Sequence, residues 1–163
     1  MSDVVAGQAD REGIIIRVAT RADIPGVVRM LADDPLGAQR EQYADPLPKA
    51  YLDAFDAMQS QPGNDILVAE LGGAVVGCLQ LTLIPGLSRL GMTRAQIEGV
   101  RVDSQVRGRK IGELLMRDAI ARSRAAGAAL VQLTTDISRP DAHRFYEGLG
   151  FVRSHAGMKL SLD

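Results

Sequence analysis

The spacing of apolar residues along this chain changes between the period of a β-strand and that of an α-helix. Three consecutive isoleucines in the segment 13–19 predict a first β-strand. Apolar residues then recur at helical spacing from Ile24 to Leu31, and Thr20 with Asp23 forms an N-cap signature just before them. The chain is therefore predicted to begin with a strand and an amphipathic helix that buries one face.

The same reasoning extends to the rest of the chain. Residues 33–48 contain three prolines and several acids, which is typical of a loop. The Gly72-Gly73 pair between two β-rich runs predicts a hairpin, because both turn positions tolerate positive φ. Further elements are predicted as helices over 49–60, 109–126 and 140–149, strands over 66–71, 74–84, 97–102 and 129–134, and a last hairpin over 151–162.

These elements predict one domain of the α/β (α+β) class, with a mainly antiparallel front half. No internal repeat and no linker divides the sequence. We therefore expect a flexible N-terminal tail over 1–12 and a single domain over 13–163.

Composition narrows the range of functions. The chain has 163 residues, 46% of them hydrophobic, and a formal net charge of −1, so nothing in its overall charge attracts nucleic acid. Its one cysteine, Cys78, lies in an apolar run and is expected in the core, where it forms neither a disulfide nor a Cys-rich metal site. Because no apolar run reaches the ~18 residues of a membrane span and no signal peptide is evident, we expect a cytoplasmic protein with no metal and no membrane partner.

The segment 100–112 combines a strand, a short loop and a helix start with three cations. The first N–H groups of a helix have no intrahelical partners and carry partial positive charge, so they attract anions. Small residues let a phosphate approach this backbone, which predicts a pyrophosphate site; the alternative is a solvated basic first turn. Neither a P-loop nor a G-x-G-x-x-G pattern is present. The residues expected to bind the phosphates are Arg107, Gly108, Arg109, Lys110, Ile111 and Gly112.

Two motifs in this order resemble the GNAT superfamily of acetyl-CoA-dependent N-acetyltransferases. Gln105 and Gly108 match its acyl-CoA turn, R/Q-x-x-G-x-G/A, with Lys110 where the second Gly or Ala is usual. Residues 142–151 resemble its A-x-x-F-Y-x-x-x-G-F element, and Arg139 stands where an Asn is common. The resemblance implies a central, mixed, mostly antiparallel sheet of six to seven strands flanked by about four helices. It also implies acetyl-CoA as cosubstrate. Homodimers are common in the superfamily, but no residue of this sequence indicates one.

Acetyl transfer to an amine needs a base, a donor to the developing oxyanion and an acid for the departing thiolate. An alkyl amine with a pKa near ~10 is protonated at neutral pH and must lose a proton before it attacks. The resemblance implies that the backbone N–H of Val102 stabilises the oxyanion and that the strand edge 100–102 binds the pantetheine arm. It also implies that Tyr146 is the acid; the alternative is a packing aromatic beside Phe145.

Glu98 is the predicted base. Strand alternation puts it on one face with Val100 and Val102, an apolar setting that raises the proton affinity of a carboxylate. Glucosamine-6-phosphate N-acetyltransferases look similar at this point of the strand. A glutamate that merely reaches solvent, the histidines His143 and His155, and a water relay remain alternatives.

The predicted function is transfer of an acetyl group from acetyl-CoA directly to a primary amine of a small molecule. The alternatives are acetylation of a protein amine, a non-catalytic acyl-CoA-binding or sensing module, and an interaction domain whose basic turn meets an acidic surface. The acceptor stays open, because two sets of charges point in opposite directions. Acids in the first loop suit a cationic amine, whereas two arginines before the fourth strand suit an acidic group: Asp34, Glu41 and Asp45 against Arg89 and Arg94.

Overall fold

The computed structural model describes residues 13–106 and 108–162 of the chain. They form two compact units, one ending at Gln132 and one beginning at Leu133. The strands are β1 (Ile14–Val18), β2 (Asn64–Leu71), β3 (Ala74–Pro85), β4 (Thr93–Val102) and β5 (Leu130–Leu133). The helices are α1 (Ile24–Ala32), α2 (Lys49–Gln59), α3 (Ser88–Gly91), α4 (Ile111–Ala125) and α5 (Pro140–Gly148), with 3-10 turns at Arg21–Asp23, Gly37–Gln39 and Ser104–Val106.

The strands form one sheet in the order β1-β2-β3-β4-β5. The first four strands pair antiparallel, as the sequence predicts. The hairpin between β2 and β3 turns at Gly72 and Gly73, whose φ angles are 57° and 82°. Both angles lie in the left-handed region, so the glycine signal for this hairpin is confirmed.

One face of the sheet is covered by α1 and α2. The Thr20 N–H donates to Asp23 Oδ2 at 2.7 Å, so the predicted capping interaction precedes α1. Phe55 of α2 is buried, and Cys78 is 1% exposed, as expected for a core cysteine. The buried residues of this cluster are Ala19, Ile24, Val27, Val28, Met30, Phe55, Val68 and Cys78.

The opposite face of the sheet packs against α4. Gly77 of β3 allows a close approach, since a Cβ built on it would lie 2.9 Å from Ile111 Cγ2 and 2.9 Å from Leu115 Cδ1. Both side chains are fully buried. The start of α4 is therefore fixed against the sheet beside the end of β4, because Val102 pairs with Gly77.

The expected strand count and the last hairpin are wrong for the part of the chain that the structure describes. Its sheet has five strands rather than six to seven, and residues 151–162 form no strand. Apolar residues alternate with polar ones in this segment, but Met158, Leu160 and Leu162 are 94%, 85% and 91% exposed. A hairpin is stable only when it buries one face, and these side chains bury almost nothing.

Two smaller differences concern helices. The helix predicted over 109–126 begins at Ile111, and the α3 turn between β3 and β4 was not predicted. Within α3, Arg89 and Leu90 have φ angles of 53° and 59°, a left-handed conformation that no helical spacing signals. No described helix is long and apolar enough to cross a membrane. The predicted tail over 1–12 lies outside the described residues, and the assignment of 13–163 to a single domain stays a prediction.

Candidate active site

The predicted phosphate turn joins the end of β4 to the start of α4. Asp103 follows β4 and a 3-10 turn comes next, from Ser104 to Val106. Gly108 is exposed with a φ of +89°, a conformation that favours glycine. A Cβ built on Gly108 would meet no atom within 4 Å, so the backbone here faces open space. The turn is therefore accessible to a phosphate at its glycine.

Lys110 explains the departure from the family motif in structural terms. Its backbone is left-handed, with φ 58° and ψ 18°, and it occupies the N-cap position of α4. Glycine adopts this conformation at little cost, whereas a residue with a Cβ is strained there. The position that usually carries Gly or Ala thus keeps the glycine-like backbone while presenting an ammonium group.

The first turn of α4 offers backbone donors for an anion. Leu114 N–H donates to Lys110 O at 3.0 Å, which is the first hydrogen bond within the helix. The N–H groups before Leu114 therefore have no acceptor within the helix. Ile111 as a whole residue is 1% exposed, because its side chain packs inward against the sheet, whereas Gly112 is partly exposed. Arg109 and Lys110 are exposed beside these donors, whereas Arg107 lies outside the described residues. This arrangement fits a pyrophosphate.

A β-bulge on β4 overturns the predicted alignment of Glu98. Glu98 pairs with Gln80 but Arg101 pairs with Cys78, so one extra residue of β4 is accommodated around Gly99, whose φ is +62°. Val102 pairs with Gly77 and therefore faces α4, whereas Glu98 faces the α1 side of the sheet. Glu98 is also exposed rather than set in an apolar environment.

The surface beside Glu98 on this face is polar. Gln80 Nε2 donates to Asn64 Oδ1 at 2.8 Å, and Thr82 Oγ1 donates to the same oxygen at 3.2 Å. Gln132 of β5 donates from Nε2 to Oε1 of Gln96, which lies on the same strand as Glu98, at 2.7 Å. These partly exposed groups on a rigid sheet can hydrogen-bond a polar molecule that reaches Glu98.

Charged contacts that the sequence analysis did not anticipate join α1 to the phosphate turn. Arg29 Nη2 donates to Asp103 Oδ2 at 2.8 Å, and Ser104 Oγ donates to Asp33 Oδ2 at 2.9 Å. Arg101 Nε lies 2.8 Å from Asp34 Oδ2 without the alignment of a hydrogen bond, so their attraction is between charges. A signal for this pair was the charged residue between Val100 and Val102 on an otherwise apolar strand end.

The first loop holds two of its three predicted acids in internal contacts. Asp34 accepts hydrogen bonds from the N–H groups of Leu36 and Gly37 at 2.9 and 2.7 Å, besides its contact with Arg101. Glu41 Oε2 accepts from the Tyr51 hydroxyl at 2.9 Å, and burial raises the pKa of that hydroxyl. Asp45 is exposed. The case for a cationic acceptor from this loop is correspondingly weaker.

In the second unit, Tyr146 lies within α5 among other aromatic residues. Its ring centre is 5.2 Å from Phe145 and 6.0 Å from Phe151, both edge-on. His143 Nε2 lies 2.9 Å from the Asp136 carbonyl oxygen; since a carbonyl only accepts, Nε2 carries the proton. His155 Nδ1 lies 2.7 Å from Ser154 Oγ. The contact of His143 with the main chain favours a structural role for that histidine.

The cysteine is unsuited to carry an acyl group. Cys78 is the sole cysteine of the sequence, and burial raises the pKa of its thiol to about 12. A thiol that is buried and protonated is a poor nucleophile, so the chain offers no cysteine for a covalent intermediate. Among the described residues, no cluster of three or more His, Cys, Asp or Glu side chains is suited to a metal ion.

The fold and the turn between β4 and α4 are consistent with an acyltransferase, and the sequence comparisons show that class. The chain belongs to the acetyltransferase (GNAT) family, whose sequence model matches residues 30–151. Members of this family in general use acetyl-CoA. The resemblance stated from the motifs is thereby confirmed, and so are the fold class and the assignment as an enzyme.

Three relatives illustrate the range of the family. The aminoalkylphosphonate N-acetyltransferase of Salmonella typhimurium is 36% identical over 107 residues, which cover 66% of this chain and 69% of that protein. The glucosamine 6-phosphate N-acetyltransferase of Trypanosoma brucei brucei is 36% identical over 91 residues, 55% of this chain and 59% of that protein. A crystal structure of a protein described as a transcriptional regulator, from Bacillus halodurans, has a TM-score of 0.89 and 48% identity, covering 91% of this chain and 99% of that chain.

Proposed function

We propose that this protein transfers an acetyl group from acetyl-CoA directly to the primary amine of a small molecule. The observation that carries the proposal is the turn between β4 and α4, where an accessible glycine backbone, a helix N-terminus and exposed cations coincide. Its fit to a pyrophosphate supports coenzyme binding. The buried, protonated Cys78 thiol supports direct transfer rather than transfer through a cysteine.

Within this proposal the strand end and the turn hold the coenzyme. Val100 and Val102 provide the backbone edge for the pantetheine arm, and the Val102 N–H faces the developing oxyanion. The phosphates lie against the turn, with the following groups as ligands: Arg107, Gly108, Arg109 and Lys110, and the backbone of Ile111 and Gly112. Acetyl-CoA supplies the activated thioester.

Tyr146 is the proposed acid that protonates the departing thiolate, and Glu98 is the proposed base. The exposure of Glu98 favours proton transfer to solvent or through a water over abstraction in a dry pocket. The histidines His143 and His155 remain the alternatives to Glu98.

The acceptor we propose is a small amine that also carries a phosphate or phosphonate group. The two N-acetyltransferases from Salmonella typhimurium and Trypanosoma brucei brucei are named for such substrates. Glu98 with its polar neighbours on β2 and β3 suits the amine and its hydroxyl groups, and Arg94 or Arg89 suits the anionic end. The nearly neutral charge of the chain favours such a molecule over a polyanion, so the regulator name of the Bacillus halodurans protein is not carried over.

The first experiment is a calorimetric titration of the full chain with acetyl-CoA. We expect saturable one-to-one binding that weakens when Arg107, Arg109 and Lys110 are changed to glutamine together. The matched control replaces three exposed arginines of the same compact unit that lie outside the turn: Arg21, Arg40 and Arg124. An absence of binding at millimolar coenzyme would overturn the proposal.

The second experiment measures turnover with 2-aminoethylphosphonate, glucosamine 6-phosphate and their phosphorus-free amines. We expect Tyr146→Phe to lower kcat by at least tenfold with little change in coenzyme affinity, and Phe145→Leu to be the milder control. Glu98→Gln should abolish the acidic limb of the pH–rate profile. Equal kcat for Tyr146→Phe and the wild type, or an unchanged acidic limb for Glu98→Gln, would remove that residue from the mechanism.

We also propose that the protein is a homodimer that buries the apolar row of its C-terminal segment. Val152, Met158, Leu160 and Leu162 are each more than 80% exposed. Burying one such side chain contributes about 1.5–3 kcal/mol, which at about 25 cal/mol per Å² corresponds to roughly 250–500 Å² of apolar surface for the four together. A stable interface buries ~800 Å² per partner, so these side chains supply part of that area. Sedimentation should give twice the 17.5 kDa of one chain, reduced to one chain by Leu160→Glu but not by Leu90→Glu. A monomeric wild type would contradict this.

A further inference from the structure

The segment that ends α1 holds the phosphate turn through its side chains. Arg29 lies in the last turns of α1, and its guanidinium reaches Asp103 directly after β4. Asp33 follows α1 and accepts from Ser104 in the 3-10 turn. Two contacts that are distant in sequence therefore tie one helix end to the first residues of the turn.

Asp103 connects this helix end to the backbone of the turn. Its Oδ2 accepts from Arg29, while its Oδ1 accepts from the Gln105 N–H at 2.9 Å. Its own N–H donates to Val76 O at 2.9 Å, which anchors it to β3. The Asp103 side chain is only 11% exposed, whereas that of Arg29 is 40% exposed. A carboxylate held in this way fixes where the chain leaves the sheet and how the turn begins.

A second pair fixes the strand end just before the turn. The Arg101 and Asp34 side chains are 16% and 9% exposed, so their charges are largely shielded from water. Arg101 Nη1 also donates to Val100 O at 2.9 Å, next to the bulge at Gly99. Asp34 is itself held by backbone donors of the following loop. The pair thus stabilises the irregular part of β4 that the pantetheine arm is proposed to follow.

We propose that Arg29, Asp33 and Asp34 are positioning residues that preset the strand end and the phosphate turn for the coenzyme. The inference rests on the proposed function, because it assigns these residues to the same coenzyme site. They act through Asp103, Ser104 and Arg101 rather than by touching the ligand. A set turn does not have to be ordered when the ligand binds, so its loss lowers coenzyme affinity rather than the chemical step.

The test uses Arg29→Gln, because Arg29 is partly exposed and the shorter glutamine side chain adds no steric crowding. We expect the KM and the dissociation constant for acetyl-CoA to rise about twofold to fivefold, the range set by the strength of partly exposed ion pairs. Both kcat and the KM for the amine should stay at the wild-type values. Arg29→Lys should restore part of the affinity. The matched control is Arg21→Gln, which removes the exposed ion pair between Arg21, in the turn before α1, and Asp56 of α2.

The outcomes separate this inference from the proposed function. If the wild type binds acetyl-CoA and Arg29→Gln binds it equally well, the positioning role is wrong while the proposed function stands. If Arg29→Gln lowers the apparent kcat at unchanged KM, it reduces the folded fraction only, and the positioning role is again wrong. If the wild type binds no acetyl-CoA, both proposals fall.

Discussion

Replacing Gly77 by alanine tests whether the close contact between β3 and α4 sets the phosphate turn. The added Cβ would lie 2.9 Å from Ile111 Cγ2 and from Leu115 Cδ1, and 3.3 Å from Arg101 O. Carbon atoms pack at about 3.5–4.0 Å, so α4 must move by several tenths of an ångström. Both side chains that would have to give way are fully buried, which leaves little room for relaxation.

The expected cost is about 1–3 kcal/mol, the range for overpacking a well-packed core. For a domain of this size, each kcal/mol lowers Tm by roughly 2–4 °C, so thermal unfolding followed by circular dichroism resolves it. Because Ile111 begins α4, the shift also displaces the amides proposed to bind phosphate, and calorimetry should show weaker acetyl-CoA binding.

Gly26→Ala is the matched control. Gly26 lies within α1, and a Cβ there would be 3.8 Å from Val75 Cβ, an ordinary contact. Alanine also has the higher helix propensity, so this variant should keep or raise Tm and leave coenzyme binding unchanged. If Gly77→Ala unfolds at the wild-type temperature, the close packing of α4 on β3 is not what fixes the turn.

Two further predictions concern strain and pH. Lys110→Gly removes a left-handed backbone strain and a cation near a helix N-terminus, so the denaturant midpoint should rise by the equivalent of about 1 kcal/mol while acetyl-CoA binding weakens. A lower midpoint would refute the strain argument. Hydrogen bonds from Arg17 lower the pKa of Asp23 from 3.8 to about 2, so the stabilisation is present above pH 4 and lost as pH falls toward 2. Tm measured from pH 6 to pH 2 should fall less steeply in Asp23→Asn than in the wild type; parallel curves would show that this pair contributes nothing.

Local signals predicted most elements correctly, and the failures occurred where the outcome depended on distant residues. The Gly72-Gly73 hairpin and the Thr20–Asp23 cap are encoded within a few residues, so the sequence reveals them. The segment 151–162 has a strand pattern, yet a strand also requires a partner to bury its apolar face, and no local pattern supplies one. The same limit applies to the proposed positioning role of Arg29, which depends on Asp103, a residue remote in sequence.

The bulge at Gly99 changes the side of the sheet on which the proposed base lies, because simple alternation would have put Glu98 and Val102 on one face. With one extra residue in β4, Glu98 faces the side covered by α1, and Val102 faces the side covered by α4. The phosphate turn continues from Val102 into α4. If Glu98 is the base, the amine must therefore approach from the α1 side, while the coenzyme phosphates bind at the start of α4. This arrangement is consistent with a pantetheine arm that is hydrogen-bonded by the backbone edge of β4 rather than by its side chains and that passes from one face of the sheet to the other. It also explains why the charged residue beside the bulge, Arg101, points to the α1 side and finds its partner there.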